Sequence, residues 1–359
     1  MKMIVLRPRQ QDKYGQDFRS SMAIKQLLLT PIYLENGLTL QQVDVSGINL
    51  AITFDPENVD CNKYIESLSN DNIPLVSHFH LQWEYQTENE RIIAEKTIKR
   101  SNAVIVPVAF LKEQLKSKFP DVRIECIHNG ADNQIFNCSD SQERKKFREE
   151  ELNIAKDEFV FVYVGSLTKP KGLQIIYEFC KIIPQNYHLL FYCREDSVSK
   201  EEITNLLEVN PQRIHVLYDN NDQTREKHPV RLCDCLITSS LSEVAPMVVI
   251  EALLSGVKVV GTSSTQFYEE LPSTILDKRY LQLIDLPPRL NNLSHDKLFL
   301  ENEEVTTIVN NLIKYTKNIE SSSDTERKSL SQIMIDGGYE ASKMIKKYKE
   351  LYDEIADKT

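Results

Sequence analysis

The sequence predicts an α/β protein of two domains, each built on a parallel sheet. Short apolar segments typical of buried strands recur along the chain, helical segments alternate with them, and 359 residues exceed the size of one ordinary core. The predicted strands are residues 1–6, 50–56, 74–80, 102–108 and 123–129 in the first half, and 158–165, 188–193, 213–218, 234–240 and 258–262 in the second.

A highly charged segment at 139–153 lies between the two sets of strands and is the predicted connection. We therefore expect an N-terminal domain over residues 1–153 and a C-terminal domain over residues 154–338. Two glycines, Gly337 and Gly338, then interrupt a terminal helical region, and the last predicted helix covers residues 339–359.

The composition describes a globular protein that does not act on nucleic acid. Hydrophobic residues make up 41% and charged residues 27% of the chain, and the formal net charge is −10. Seven cysteines without a Cys-x-x-Cys pair argue against a disulfide framework or a zinc site. Because no apolar run has the length of a membrane span and the N-terminus lacks the pattern of a secretory signal, we expect a cytoplasmic protein.

Basic residues between positions 96 and 123 leave a second location open, a peripheral contact with the inner face of the membrane. The interspersed acids favour the simpler interpretation, a solvated helix face. The basic residues are Lys96, Lys99, Arg100, Lys112, Lys116, Lys118 and Arg123.

The most informative segment is 239–264, which the pattern predicts as strand end, loop, helix and strand. Proline suits the first helical position, so we expect a helix from Pro246 whose first-turn amides face an anion at the strand end. Glu243 lies in the loop and Glu251 in the helix, eight positions later. Paired carboxylates are good acceptors for vicinal hydroxyls, so the segment predicts a sugar-nucleotide site.

A second loop predicts a cation for the same ligand. After the strand that ends at Gly165, Lys171 opens the next predicted helix. Its ammonium group can therefore join backbone amides around a diphosphate.

Four segments together carry a family resemblance. Residues 242–260, 162–172, 128–136 and 77–82 resemble the donor signature, the phosphate loop, the linker signature and the histidine-bearing loop of glycosyltransferase family 4. This resemblance implies a retaining enzyme with the GT-B fold, in which two Rossmann-like domains have parallel sheets facing a cleft. It also implies that the last helix crosses back onto the first domain.

The resemblance assigns roles to individual residues. Glu251 becomes the ribose ligand, Glu243 the ligand of the donor-sugar hydroxyls, and backbone groups near Leu217 the contacts of the base. His80, Glu243 and Lys171 are implied to serve catalysis, and Gly15 to line the acceptor side. The implied donor-binding residues are Gly165, Ser166, Lys171, Arg194, Leu217, Glu243, Ala245, Pro246, Met247, Val248 and Glu251.

The chain departs from the family at two places on the donor side. Ser166 stands where the family usually has an arginine, so either Lys169 or Arg194 replaces that charge or donor binding is weaker. Residues 263–265 stand where paired glycines are common, and their hydroxyls would replace amide contacts. In the N-terminal loop, Gly15 is the single glycine of a region that the family keeps glycine-rich.

The resulting prediction is a transferase that moves a sugar, favoured to be a hexose, from a nucleotide diphosphate to a hydroxyl acceptor. The donor is favoured to be a UDP-sugar, and the acceptor is a glycan, a lipid-linked glycan or a glycoprotein in glycan, polysaccharide or glycoconjugate biosynthesis. No cofactor and no metal are expected, because no Asp-x-Asp occurs in the chain. The alternative is a catalytically degenerate paralogue that acts as partner or scaffold of another transferase. A dehydrogenase is disfavoured because no Gly-x-Gly-x-x-Gly follows a predicted strand.

Overall fold

The structure is a computed structural model that describes residues 2–7, 30–33, 48–54, 72–193, 200–218, 228–277, 279–293, 297–317 and 319–358, with Leu27 and Ile65. The chain forms two compact units. The first comprises residues 1–129 and 341–359, and the second comprises residues 130–340. None of the helices in the described ranges has both the length and the apolar character that crossing a bilayer requires.

Each unit contains a six-stranded sheet in which every pairing is parallel. The order is β2-β1-β3-β4-β5-β6 in the first unit and β12-β11-β10-β7-β8-β9 in the second. The strands are β1 Lys2–Arg7, β2 Thr30–Tyr33, β3 Ile48–Thr53, β4 Leu75–His78, β5 Ala103–Val106, β6 Ile124–Cys126, β7 Phe159–Val164, β8 Tyr187–Cys193, β9 Ile214–Tyr218, β10 Cys235–Thr238, β11 Lys258–Thr262 and β12 Leu281–Ile284.

Helices alternate with these strands, as a doubly wound sheet requires. The described α-helices are α1 Glu88–Arg100, α2 Ala109–Lys118, α3 Ser141–Glu150, α4 Leu173–Ile182, α5 Lys200–Val209, α6 Met247–Leu254, α7 Ser273–Asp277, α8 Asn302–Thr316, α9 Asp324–Asp336 and α10 Ala341–Ala356. The prediction of two Rossmann-like domains with parallel sheets is confirmed.

Two strands were not predicted, and both lie at the outer edge of a sheet. Among the strands that the structure describes, Thr30–Tyr33 pairs with β1 alone and Leu281–Ile284 with β11 alone. Neither is a continuous apolar run of the kind that marks the predicted strands, because the first begins with Thr-Pro and the second contains Gln282. Pro31 lies in the first of them, where an edge position tolerates the missing backbone donor.

The core of the second unit lies between its sheet and helices α4 and α8. The apolar stripe of α4 includes Ile176 and Phe179, both fully buried, and Leu312 of α8 belongs to the same cluster. Burying such a side chain stabilises the fold by about 1.5–3 kcal/mol. This packing fixes the start of α4, and with it the loop that precedes α4, against the end of the sheet.

The charged segment 139–153, predicted as a connection, forms helix α3 and belongs to the second unit. Asp140 caps this helix by accepting from the Gln142 and Glu143 amides, each at 2.9 Å. The boundary between the two compact units therefore lies after residue 129, whereas the sequence pattern placed the domain boundary after residue 153.

In the first unit, helix α10 packs against the buried face of the sheet. Tyr352 and Tyr348 of this helix are fully buried, and the Tyr352 hydroxyl lies 2.6 Å from Nε2 of His78. His78 also stacks on Phe54 with ring centroids 4.1 Å apart. His78 thus has a structural environment at the end of β4.

In the described part of the first unit, Lys99, Lys112 and Arg123 of this basic group form ion pairs with acids. Lys99 lies 2.5 Å from Glu95, and Arg123 contacts both Glu125 and Glu354 at 2.8–2.9 Å. Such pairs are expected on a solvated helix face, and they leave less cationic charge for an anionic membrane.

Candidate functional site

Both predicted donor loops lie at one edge of the second sheet. Because all six strands are parallel, their carboxyl ends meet at this edge. Strands β7 and β10 are neighbours, and the chain proceeds outward from them in opposite directions. Open α/β sheets bind ligands at such a reversal of strand order. The loops that follow β7 and β10 are therefore the candidate site.

The loop after β7 turns sharply and enters a short helix. Gly165 has a φ of 133°, and its amide donates to the Tyr192 carbonyl at 3.2 Å. Residues Lys169–Lys171 form one 3-10 turn, and Gly172, with a φ of 70°, starts α4. Residues other than glycine rarely adopt the left-handed backbone conformation of Gly172.

Close contacts join this loop to the loop after β10. The Leu241 amide donates to the Pro170 carbonyl at 2.8 Å, and the Ser239 hydroxyl donates to the Lys171 carbonyl at 2.7 Å. A Cβ atom on Gly172 would lie 1.8 Å from the Ser239 carbonyl oxygen, so only glycine allows this approach. These contacts hold the backbones of the two loops directly against each other.

The structure brings the side chains of Lys171 and Glu243 into direct contact. Nζ of Lys171 forms an ion pair with Oε1 of Glu243, and the Ser240 hydroxyl donates to the same oxygen at 2.9 Å. The lysine side chain is 38% exposed and the glutamate side chain 17% exposed. Two residues that the sequence assigned to neighbouring parts of one ligand are thus adjacent.

The segment after β11 holds the glutamate loop through its backbone. The Glu243 amide donates to the Ser264 carbonyl at 3.0 Å, and the Thr265 hydroxyl donates to the Val244 carbonyl at 2.6 Å. The Thr262 hydroxyl donates to the Ser240 carbonyl at 2.5 Å. This role was not predicted, because the sequence led us to expect the hydroxyls of residues 263–265 to replace amide contacts with the donor.

Helix α6 begins one residue later than predicted. Pro246 has a ψ of 108°, outside the helical region, so it is the N-cap and Met247 is the first helical residue. The Pro246 carbonyl accepts from the Val249 amide at 3.1 Å, while the amides of Met247 and Val248 precede the first intrahelical donor. Ala245 lies half-buried in the preceding loop, and Glu251 lies half-buried in the helix. The amide end of α6 points to the candidate site, which suits an anion.

Two buried tyrosines, Tyr163 and Tyr268, are close enough to Glu243 to feel its charge, and neither was singled out from the sequence. Burial raises the pKa of Tyr163 and of Tyr268, and the Glu243 carboxylate raises both pKa values further. Both phenols therefore stay protonated at neutral pH. The Tyr163 hydroxyl donates to the Ser166 carbonyl at 2.9 Å, which fixes the residue that replaces the expected arginine.

The remaining predicted residues are distributed as follows. Leu217 lies near the end of β9, an edge strand of its sheet, and pairs with Tyr192. His80 belongs to the first unit, where it is 7% exposed and stacks near Phe54 with centroids 6.3 Å apart. Arg194 and Gly15 lie outside the described residues.

A family comparison covers this part of the second unit. Residues 144–272 match the family described as glycosyl transferases group 1. The match includes both loops of the candidate site and helix α6. No curated protein matches the sequence.

Solved structures extend the similarity to the whole chain. Anabaena Alr3699/HepE in complex with UDP is 16% identical, with a TM-score of 0.70 over 99% of this chain and 100% of that chain. Sucrose-phosphate synthase (tll1590) from Thermosynechococcus elongatus is 13% identical, with a TM-score of 0.72 over 100% of both chains. The GtfA/B complex is 14% identical, with a TM-score of 0.58 over 86% of this chain and 57% of that chain. At these identities the likeness shows the fold, and the prediction of the GT-B fold is confirmed.

Proposed function

We propose that this chain is a retaining glycosyltransferase that moves a hexose from a nucleotide diphosphate to a hydroxyl acceptor without a metal ion. The observation that carries the proposal is the convergence of Lys171, Glu243 and the amide end of α6 at the reversal of strand order. A cation and helix amides suit a diphosphate, and a carboxylate suits sugar hydroxyls.

Each group has a task in the proposed reaction. The leaving group is a nucleoside diphosphate, whose growing charge Lys171 and the amides of Met247 and Val248 would stabilise. Glu251 would accept from the ribose hydroxyls and Glu243 from the sugar hydroxyls. The donor phosphate would take the acceptor proton on the face from which it leaves, which yields retention without a protein nucleophile.

Other contacts complete the proposed donor site. Gly165, Ser166, Ala245 and Pro246 would line it, and backbone groups of β9 near Leu217 would hold the base. Arg194 is proposed as a further phosphate cation, while His80 as a sugar contact and Gly15 on the acceptor side rest on the family resemblance alone.

Uridine is the base that the comparisons favour. Anabaena Alr3699/HepE was crystallised with UDP and also with UDP-glucose; the latter structure is 16% identical, with a TM-score of 0.67. We therefore propose a UDP-hexose as donor, and a glycan, a lipid-linked glycan or a glycoprotein as acceptor, in glycan, polysaccharide or glycoconjugate biosynthesis.

A second candidate is a non-catalytic partner of another transferase. Two observations favour it: Ser166 stands where the family usually has an arginine, and Lys171 is paired with Glu243. One of the structures similar to this chain is that of the GtfA/B complex, which supports a role for this fold in an assembly.

Two measurements on the purified chain separate these candidates. Isothermal titration with UDP, GDP, ADP and dTDP tests the nucleotide site and its base. Release of the diphosphate from the matching sugar nucleotide, by hydrolysis or transfer, then tests turnover. Binding with turnover supports the transferase, binding without turnover supports the partner, and no binding contradicts both uses of the donor site.

The first specific prediction concerns Glu251. Glu251→Gln should weaken binding of the nucleoside diphosphate by roughly ten- to hundredfold, because a charged hydrogen bond to ribose contributes about 1.5–3 kcal/mol. Calorimetric titration measures the change, and thermal unfolding verifies the fold. Glu178→Gln, on the surface of α4, is the matched control. Unchanged affinity in Glu251→Gln would remove this residue from the site.

The second prediction concerns metal dependence. Because Lys171 and helix amides would meet the phosphate charge, turnover should persist in excess chelator, and Lys171→Ala should reduce it by about a hundredfold with or without added magnesium. A transfer assay in parallel buffers measures both. If chelation abolishes turnover and manganese restores it, a carboxylate assigned to sugar must instead hold a cation.

A further inference from the structure

The Lys171–Glu243 ion pair joins two groups that the proposed reaction needs for different parts of the donor. Lys171 is proposed for the diphosphate, and Glu243 for the sugar. Their contact means that each neutralises the other when no donor is bound. The following inference rests on the proposed function and deepens it.

The two partners differ in how firmly the fold holds them. The Ser240 hydroxyl donates to the Glu243 carboxylate at 2.9 Å, and the Glu243 amide donates to the Ser264 carbonyl at 3.0 Å. The glutamate side chain is also the less exposed, 17% against 38% for Lys171. A lysine carries its charge on a flexible four-carbon stem. The lysine is therefore the member of the pair that would move.

A bare nucleoside diphosphate and an intact sugar nucleotide make different demands on this pair. The diphosphate must draw Lys171 from Glu243, and it places its own negative charge beside a carboxylate that has lost this lysine. An intact donor also takes the lysine, but it brings neutral hydroxyls that donate to the carboxylate. Taking the cation from a half-buried carboxylate is costly, and only the intact donor offers hydroxyls to that carboxylate in return.

We propose that the Lys171–Glu243 pair determines specificity for the intact sugar nucleotide over the bare nucleoside diphosphate. Glu243 competes with the diphosphate for Lys171 until sugar hydroxyls satisfy the carboxylate. After transfer the sugar has left, the competition resumes, and the pair favours release of the product.

Removing the charge of Glu243, a proposed ligand of the sugar, should increase the affinity for the bare nucleoside diphosphate. Glu243→Gln should bind the bare nucleoside diphosphate about fivefold more tightly than the natural protein, because Lys171 is then free of its competitor and one negative charge is gone. The same variant should bind the sugar nucleotide no more tightly than the natural protein, so the preference for the intact donor falls by at least that factor.

The test is calorimetric titration with UDP and UDP-glucose, or with whichever of the four diphosphates binds the natural protein best and its glucose conjugate. Lys171→Met/Glu243→Gln should lose the gain of the single variant, because no lysine remains to be freed. Glu269→Gln is the matched control: it removes an exposed acid from the segment after β11 and should leave both affinities unchanged.

The outcomes distinguish this inference from the proposed function. If the natural protein binds none of the four diphosphates, the proposed function fails and the inference fails with it. If the natural protein binds a diphosphate but Glu243→Gln binds it equally or more weakly, the inference alone is overturned. An equal gain in Glu269→Gln or in the double variant would assign the effect to net charge and would also overturn it.

Discussion

Gly172→Ala should destabilise the second unit by at least about 3 kcal/mol and abolish nucleotide binding. The new Cβ would lie 1.8 Å from the Ser239 carbonyl oxygen, which belongs to backbone and cannot rotate away. The left-handed backbone, with a φ of 70°, adds about 1–2 kcal/mol for any residue with a side chain. Relief requires separating the loops after β7 and β10, which is the arrangement that places Lys171 beside Glu243. Guanidinium unfolding followed by circular dichroism measures the stability, and titration measures the binding.

Gly338→Ala is the control that separates the two contributions. Gly338 has a φ of 90°, but a Cβ atom there would have no neighbour within 4 Å. It should therefore show the conformational cost alone, about 1–2 kcal/mol, with nucleotide affinity intact. Equal stability losses in the two variants would mean that the loops accommodate the methyl group and that the close approach is not essential.

The sequence predicted the interior of both sheets because buried parallel strands leave continuous apolar runs. Residues 158–165 and 188–193 are examples, and they became the adjacent strands β7 and β8. The outer strands β2 and β12 leave no such run, because β2 begins with Thr-Pro and β12 contains Gln282.

The sequence could predict those parts of the site that consist of side chains in the loops after the strands. Lys171 and Glu243 could be assigned to one region because the loops after parallel strands share an edge. Their mutual ion pair could not be predicted, since it depends on Gly172 meeting Ser239 and on the segment after β11. Contacts through backbone carbonyls, such as that of Ser264, leave almost no trace in sequence.

Helix α3 illustrates a different reason for an incomplete prediction. Its charged sequence lacks a broad apolar face, so the pattern favoured an exposed connection. In the structure, Arg144 and Arg148 share the buried face with Phe147, the first pairing with Asp324 at 2.7 Å and the second with Asp234 at 2.6 Å. A periodicity based on hydrophobicity cannot detect burial that depends on ion pairs.

The Arg148–Asp234 pair joins α3 to the N-terminal ends of strands β7 and β10. The two side chains are 5% and 2% exposed. The arginine also donates to the Glu158 carbonyl at 2.8 Å, and the carboxylate accepts from the Val160 amide at the same distance. All these groups lie around the first residues of β7, at the end of the strand opposite the candidate site.

Arg148→Met should therefore lower the free energy of unfolding by about 3–5 kcal/mol, because it leaves the Asp234 carboxylate buried without its cation. Guanidinium unfolding measures this loss. Lys146→Met, on the same helix and in a pair whose members are 68% and 60% exposed, should cost less than about 1 kcal/mol.

Arg148→Met/Asp234→Asn should be less destabilised than the sum of the single variants, since no buried charge remains unpaired. Strict additivity would show instead that each residue stabilises the fold through its own backbone contacts, and that charge pairing does not attach α3 to the second unit.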